Sequence, residues 1–154
     1  MYDEGKDLVA ALAAAPDTLS ALLRGVSIER ARSARGGDEG WSVVEVLCHL
    51  RDAEARSLER MRALRDAEEP RIAGYDQEAR AQERHYADDD HLAALAAFIR
   101  FRIQHVAELA ALSPAQWERA GYHEEQGRVT VLNHTVHMVS HDAQHQAQLA
   151  RQLA

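Results

Sequence analysis

Residues 42–67 carry the pattern that most limits what this chain can become, a long amphipathic helix with a marked start. Ser42-Val43-Val44-Glu45 reads as a capping box, in which the serine oxygen and the glutamate satisfy amides left without partners in the first turn. Val46, Leu47, Leu50, Ala53, Ser57, Met61 and Leu64 then recur at helical spacing to about residue 67. A helix with one such stripe has to bury it against other elements.

The rest of the chain offers partners of the same kind. A first helix is expected from about residue 3 to 24, with a break at Pro16, whose ring cannot continue the hydrogen-bond ladder. Residues 33–40 are glycine-rich and polar, hence a loop. Residues 68–90 read as a polar crossover with a short helix near 76–84. A third long helix is expected over about 91–112, capped by an aspartate at 88–90, with Leu92, Leu95, Phe98, Ile99, Ile103, Val106 and Leu109 on its apolar side. Ser113-Pro114 opens a short turn reaching Arg119, a loop spans 121–127, and Thr130 caps a last helix that runs nearly to the end. Ala, Leu, Glu, Arg and Gln dominate, while Val, Ile, Thr, Phe and Tyr are too few for a sheet of any size. The expectation is all-α: one domain over 1–154, a four-helix bundle with two long crossover connections.

Charge and composition narrow the function. A formal charge of −7 lacks the basic footprint of general nucleic-acid binding. No segment reaches membrane-spanning length and no signal peptide is visible, so a cytoplasmic protein is expected. Cys48 is the only cysteine, which rules out an internal disulfide.

Nine histidines stand out, where an ordinary composition gives roughly three in a chain this long. Four fall between 134 and 145, and they either mark a site or decorate a helix. His141 and His145, at i and i+4, project about 40° apart on one helical face, where two imidazoles can share an ion. His49 sits on the inward stripe of the second helix. Three converging histidines leave a coordination position open, as catalytic zinc sites do. The spacing is equally compatible with hydrogen-bonded core histidines and an ordinary surface pair.

Three blocks of sequence resolve that choice by resemblance. The run Trp41 to Glu54 (WSVVEVLCHLRDAE) resembles the second-helix signature of the DinB/YfiT-like superfamily. Trp117-Glu118-Arg119, Gly121, His123, Gly127 and Thr130 resemble its third block, and His141-Asp142-Ala143-Gln144-His145-Gln146-Ala147-Gln148 is similar to its closing HxxxHxxQ motif. The resemblance implies a four-helix bundle whose divalent metal, Zn²⁺ or Ni²⁺, is held by His49, His141 and His145. It also implies a small-molecule substrate and allows a homodimer. Relatives include S-transferases and isomerases that use bacillithiol or mycothiol, and proteins proposed to be hydrolases. Activation of a low-molecular-weight thiol is the leading expectation. Hydrolysis, or a non-catalytic metal- or ligand-binding role in stress response, is the alternative.

Several residues near this constellation carry two readings. Glu45, His134 and His137 are candidate catalytic residues, as proton-transfer partners beside the metal, and either histidine can instead join the metal site or line its mouth. The cap accounts for Glu45 without a site, and partial surface exposure accounts for the two histidines. Asp52 can orient a ligand or pair with Arg56, and Gln148 can support the histidine pair or simply pack. Cys48 points about 100° from His49 and reads as a small buried hydrophobe. Trp41 and Trp117 read as loop anchors, Trp41 also as a pocket wall, and His123 as a turn residue or one that reaches a substrate. Arg60 and Arg102 can meet an anionic substrate, and on helices so rich in arginine they read as surface.

Overall fold

A computed structural model describes residues 3–37 and 40–154. Four long helices form the body: α1 (Asp3–Leu22), α3 (Val43–Asp66), α5 (His91–Ala110) and α7 (Val131–Gln152). Between them lie α2 (Ile28–Ser33), α4 (Gln77–Glu83), α6 (Pro114–Trp117) and a 3₁₀ turn at Tyr86–Asp88. Two small sheets complete the fold: β1 (Arg35–Gly36) with β2 (Trp41–Ser42), and β3 (Arg71–Ile72) with β4 (Ala120–His123) and β5 (Gly127–Thr130).

Local chemistry sets most of the helix starts. Both arms of the Ser42/Glu45 capping box form, and Thr130 with Asn133 makes a second box at the head of α7. Asp76 caps α4 and Asp90 caps α5 through their side chains. The expected break at Pro16 does not occur, and α1 runs through it. Proline removes the amide that would bond the Leu12 carbonyl, and Arg102 Nη1 from α5 donates to that carbonyl instead, at 3.0 Å. A contact from another helix thus fills the gap that proline opens.

The loop expected over 121–127 is a β-hairpin, with Gly127 at its turn holding a φ of 77°. β3 joins its other edge in parallel, Ile72 opposite His123. The hairpin seats tightly on the end of α3. A Cβ at Gly121 would come within 2.4 Å of the Pro70 carbonyl oxygen.

Around the bundle, α5 packs on both α1 and α3, and α7 packs on the same two helices from the other side. The spatial order is therefore α1, α5, α3, α7, so the chain crosses a diagonal between α1 and α3 and again between α5 and α7. The connections with short helices and hairpins make those two crossings. One apolar cluster, around Leu19, Val46, Leu50, Phe98 and Leu149, fills one end. Another, around Leu12, Met61, Leu64, Leu109, Trp117 and Met138, fills the other. A buried polar belt includes Glu54, Ser57, Arg102, His105, His134 and Asp142. Among the described residues no helix is long and apolar enough to cross a membrane.

Candidate metal centre

α3 and α7 face one another, and His49, His141 and His145 meet in the groove between them. His49 is buried, while His141 and His145 are half-buried. The ring centroids of His49 lie 5.0 Å from His141 and 4.9 Å from His145, and those of His141 and His145 are 4.5 Å apart. One nitrogen from each ring lies within 4.8 Å of the other two, and among the described residues no other His, Cys, Asp or Glu joins the group. Metal–nitrogen bonds of about 2.0–2.1 Å need only a small closing movement of rings already so near.

Hydrogen bonding prepares one of these rings for a cation. Gln148 Nε2 donates to the Gly36 carbonyl at 3.3 Å, which turns the amide oxygen toward His145. That oxygen lies 2.9 Å from His145 Nδ1, so Nδ1 carries the proton and Nε2 keeps a free lone pair. His49 Nε2 and His141 Nε2 are 3.0 Å apart, close enough that only one of them can bear a proton. A cation between them engages both lone pairs at once. Burial, reinforced by the charge of neighbouring histidines, lowers His49 to about 3 and His141 to about 2. Both are neutral at physiological pH, as ligands must be. The donor set fits a divalent ion of the zinc or nickel type.

The cluster opens on a cleft of about 490 Å³ lined by His141, His145, Gln148, Gly37, Gln77 and Arg151. The Trp41 ring, 5.2 Å from that of His49, walls the buried side.

The profile of the DinB superfamily matches residues 11–149. The chain belongs to the DinB superfamily. Among solved structures it is similar to YfiT from Bacillus subtilis, described as a probable metal-dependent hydrolase with an unusual four-helix bundle topology. The two share 23% sequence identity over 99% of this chain and 87% of that one, with a TM-score of 0.90. No curated protein matches the sequence.

This DinB-superfamily chain disposes the remaining candidates unevenly. Glu45 Oε1 accepts from Ser42 N and Arg35 Nη1, so the carboxylate is engaged at the helix start. Asp52 neither orients a histidine nor pairs with Arg56. It gathers Arg51, Arg80, Arg84 and the Tyr86 hydroxyl, while Arg56 stacks 3.8 Å over Tyr75. Cys48 is buried, its thiol pushed up to about 12 chiefly by burial, and it is outside the cluster. His91 bonds the Val26 carbonyl at 2.9 Å.

His134 is not a surface residue: it is buried, with Nε2 2.7 Å from Ser57 Oγ. His137 is exposed, and its ring lies 6.2 Å from that of His141. Arg102 is not surface either, being 1% exposed and ion-paired with Glu54 and Asp142. Sequence reading passed over this group. A signal was present in Glu54, which falls at helical spacing between Leu50 and Ser57 on the apolar stripe of α3. The group matters to the centre because Asp142, adjacent to His141, ties α7 to α5 and so fixes the rotation of the helix bearing both histidines.

The metal-free protein is expected to be acid-labile. Folded His49, His141 and His134 have pKa values of about 3, 2 and 4, against 6.5 unfolded, with burial the largest cause for each. Between about pH 4 and 6.5 the unfolded chain therefore binds more protons, and stability rises with pH. Their contribution is complete above 6.5 and is lost as the solution is acidified toward the folded values. Melting temperature measured from pH 7 to 5 should fall steeply, with about three protons taken up on unfolding near pH 5. A flat profile over that window contradicts the burial of neutral imidazoles.

Proposed function

We propose that this protein is a metal-dependent hydrolase of small molecules, with His49, His141 and His145 as metal ligands. The observation that carries the reading is a cluster of three histidines, without a fourth protein ligand among the described residues, at the edge of an open cleft. The description of YfiT as a probable metal-dependent hydrolase supports it. A Zn²⁺ or Ni²⁺ ion held by His49, His141 and His145 would supply Lewis acidity for activating water at neutral pH.

The protein's own part is to hold His49 and His141 neutral and to move protons. Gln148 fixes the His145 tautomer. Of the three candidate proton carriers, His137 fits best. It is exposed and one helical turn from His141, whereas His134 is bonded to Ser57 and Glu45 is engaged in the cap. Activation of a low-molecular-weight thiol, the other chemistry implied by the sequence, would use the same open position.

One assay separates the two. Metal-loaded and chelated protein are compared on p-nitrophenyl esters with and without bacillithiol. Metal-dependent release that is indifferent to thiol is the expected result. Release only with thiol transfers the assignment to S-transfer, and release equal with and without metal removes the enzymatic reading.

A further inference from the structure

A second cavity, of about 170 Å³, lies beside the metal centre beneath the β4–β5 hairpin. Arg60, His123, Arg128, Asn133, His134 and His137 supply most of its polar wall, Ile72 and Val129 its apolar part, and none of its lining residues is acidic. His137 connects it to the metal centre through its neighbour His141. We propose that this cavity binds an anionic group, a carboxylate or a phosphate, of the substrate turned over at the histidine cluster. The inference rests on the hydrolase reading for what happens at the cluster, but the anion site stands on its own geometry.

Backbone bonds leave the cavity with donors to spare. His123 Nδ1 accepts from the amides of Glu125 and Gln126 at 3.1 and 3.3 Å, so the proton of the neutral ring is on Nε2. Asn133 Oδ1 accepts the Thr130 amide in the capping box, which leaves the two Nδ2 hydrogens unused by the cap. Arg60 spends one Nη2 hydrogen on the Ala73 carbonyl at 2.6 Å. Among the described residues, neither Arg60 nor Arg128 has a carboxylate within ion-pair distance. The half-buried Arg60 has its pKa lowered by burial and by Arg56, more than Tyr75 and Glu125 offset. A half-buried guanidinium with no ion-paired carboxylate is poised for a ligand anion, which it can hold with two parallel bonds.

The geometry also sets the size of the substrate. His134 and His137 precede His141 by seven and four residues, so the anionic end lies roughly 6–10 Å along α7 from the reacting group. The substrate class is an acidic small molecule with its labile bond several bonds from the acid.

The test is titration of the zinc-loaded, ¹⁵N-labelled full chain with inorganic phosphate and with succinate, at constant ionic strength in chloride. The Asn133 side-chain amide and the His123 ring report on the cavity. Saturable shifts in both are expected. Arg60→Gln, which keeps a donor for Ala73, should weaken binding about tenfold or more, as loss of a charged hydrogen bond predicts. Asn133→Asp retains the cap acceptor but adds a negative charge, and should abolish binding.

The anion giving the tighter binding identifies the acid group. Unchanged affinity in both variants overturns the proposal, as does binding lost in His141→Ala but kept in Arg60→Gln, which places the anion on the metal. Binding that survives in metal-free His141→Ala supports the site even if ester hydrolysis fails. An absence of binding alongside metal-dependent hydrolysis removes the anion site alone.

Discussion

Replacing His141 with alanine is expected to abolish the metal binding proposed for this protein. The ring of His141 is central to the cluster, 5.0 Å from His49 and 4.5 Å from His145, and its Nε2 faces that of His49 at 3.0 Å. Loss of an outer partner alone typically lowers metal affinity 10–100-fold, so loss of a ligand from a three-ligand set should exceed ~100-fold. His49→Ala and His145→Ala should behave alike. Gln148→Leu, which frees the His145 tautomer, should fall within the 10–100-fold range. His91→Ala should keep its metal, since that ring bonds the Val26 carbonyl elsewhere in the fold. Elemental analysis of untagged protein after dialysis against a weak chelator measures these five and His137→Ala. Full metal content in His141→Ala would sink the ligand assignment, and loss in His137→Ala in its place would move it up one turn.

The residues that made this site legible are those whose signals are local. The capping box at Ser42 with the stripe behind it, and the cap at Thr130, mark where α3 and α7 begin and which side of α3 turns inward, and both helices form. The i, i+4 pair and His49 then follow from helical geometry, and the resemblance to the DinB/YfiT-like blocks supplied the link between helices that spacing left open. What escaped reading depends on contacts between distant segments. Pro16 fails to break α1 because a guanidinium 86 positions later satisfies Leu12. The 120–130 hairpin is short, and Pro70 and Ile72 from the α3–α5 connection complete its backbone bonding. His134 turned out buried because Ser57, on another helix, offers its hydroxyl. Arg102 read as surface in an arginine-rich helix, since nothing local distinguishes it from Arg100.

That misread arginine carries the largest stability prediction. Arg102 donates through Nη1 and Nη2 to the two oxygens of Asp142 at 2.6 and 2.9 Å, and through Nη2 to Glu54 at 2.9 Å. With Leu12 in α1, Glu54 in α3 and Asp142 in α7, one side chain of α5 ties all four long helices together. Glu54 also accepts from His105 Nδ1 at 2.8 Å. Burial alone would raise the Glu54 carboxyl, but His105 and Arg102 outweigh it and hold the group at about 2.

Arg102→Met keeps the volume and removes the charge, leaving two buried carboxylates without their cation. Breaking a buried pair from one side costs about 3–5 kcal/mol, and urea denaturation at pH 7 should register a loss of that order. Adding Glu54→Gln and Asp142→Asn to Arg102→Met removes the stranded charges and should recover a substantial part of it. The pH dependence provides an independent check. Burial already holds the Asp142 carboxyl above its ordinary value; without the guanidinium it rises further and Glu54 rises with it, so the penalty grows as pH rises past about 4 and shrinks below it as they protonate. The gap between wild type and Arg102→Met should therefore narrow on acidification. A loss under about 1 kcal/mol, or a gap that stays constant from pH 7 to 4, would mean that the four helices do not depend on this guanidinium.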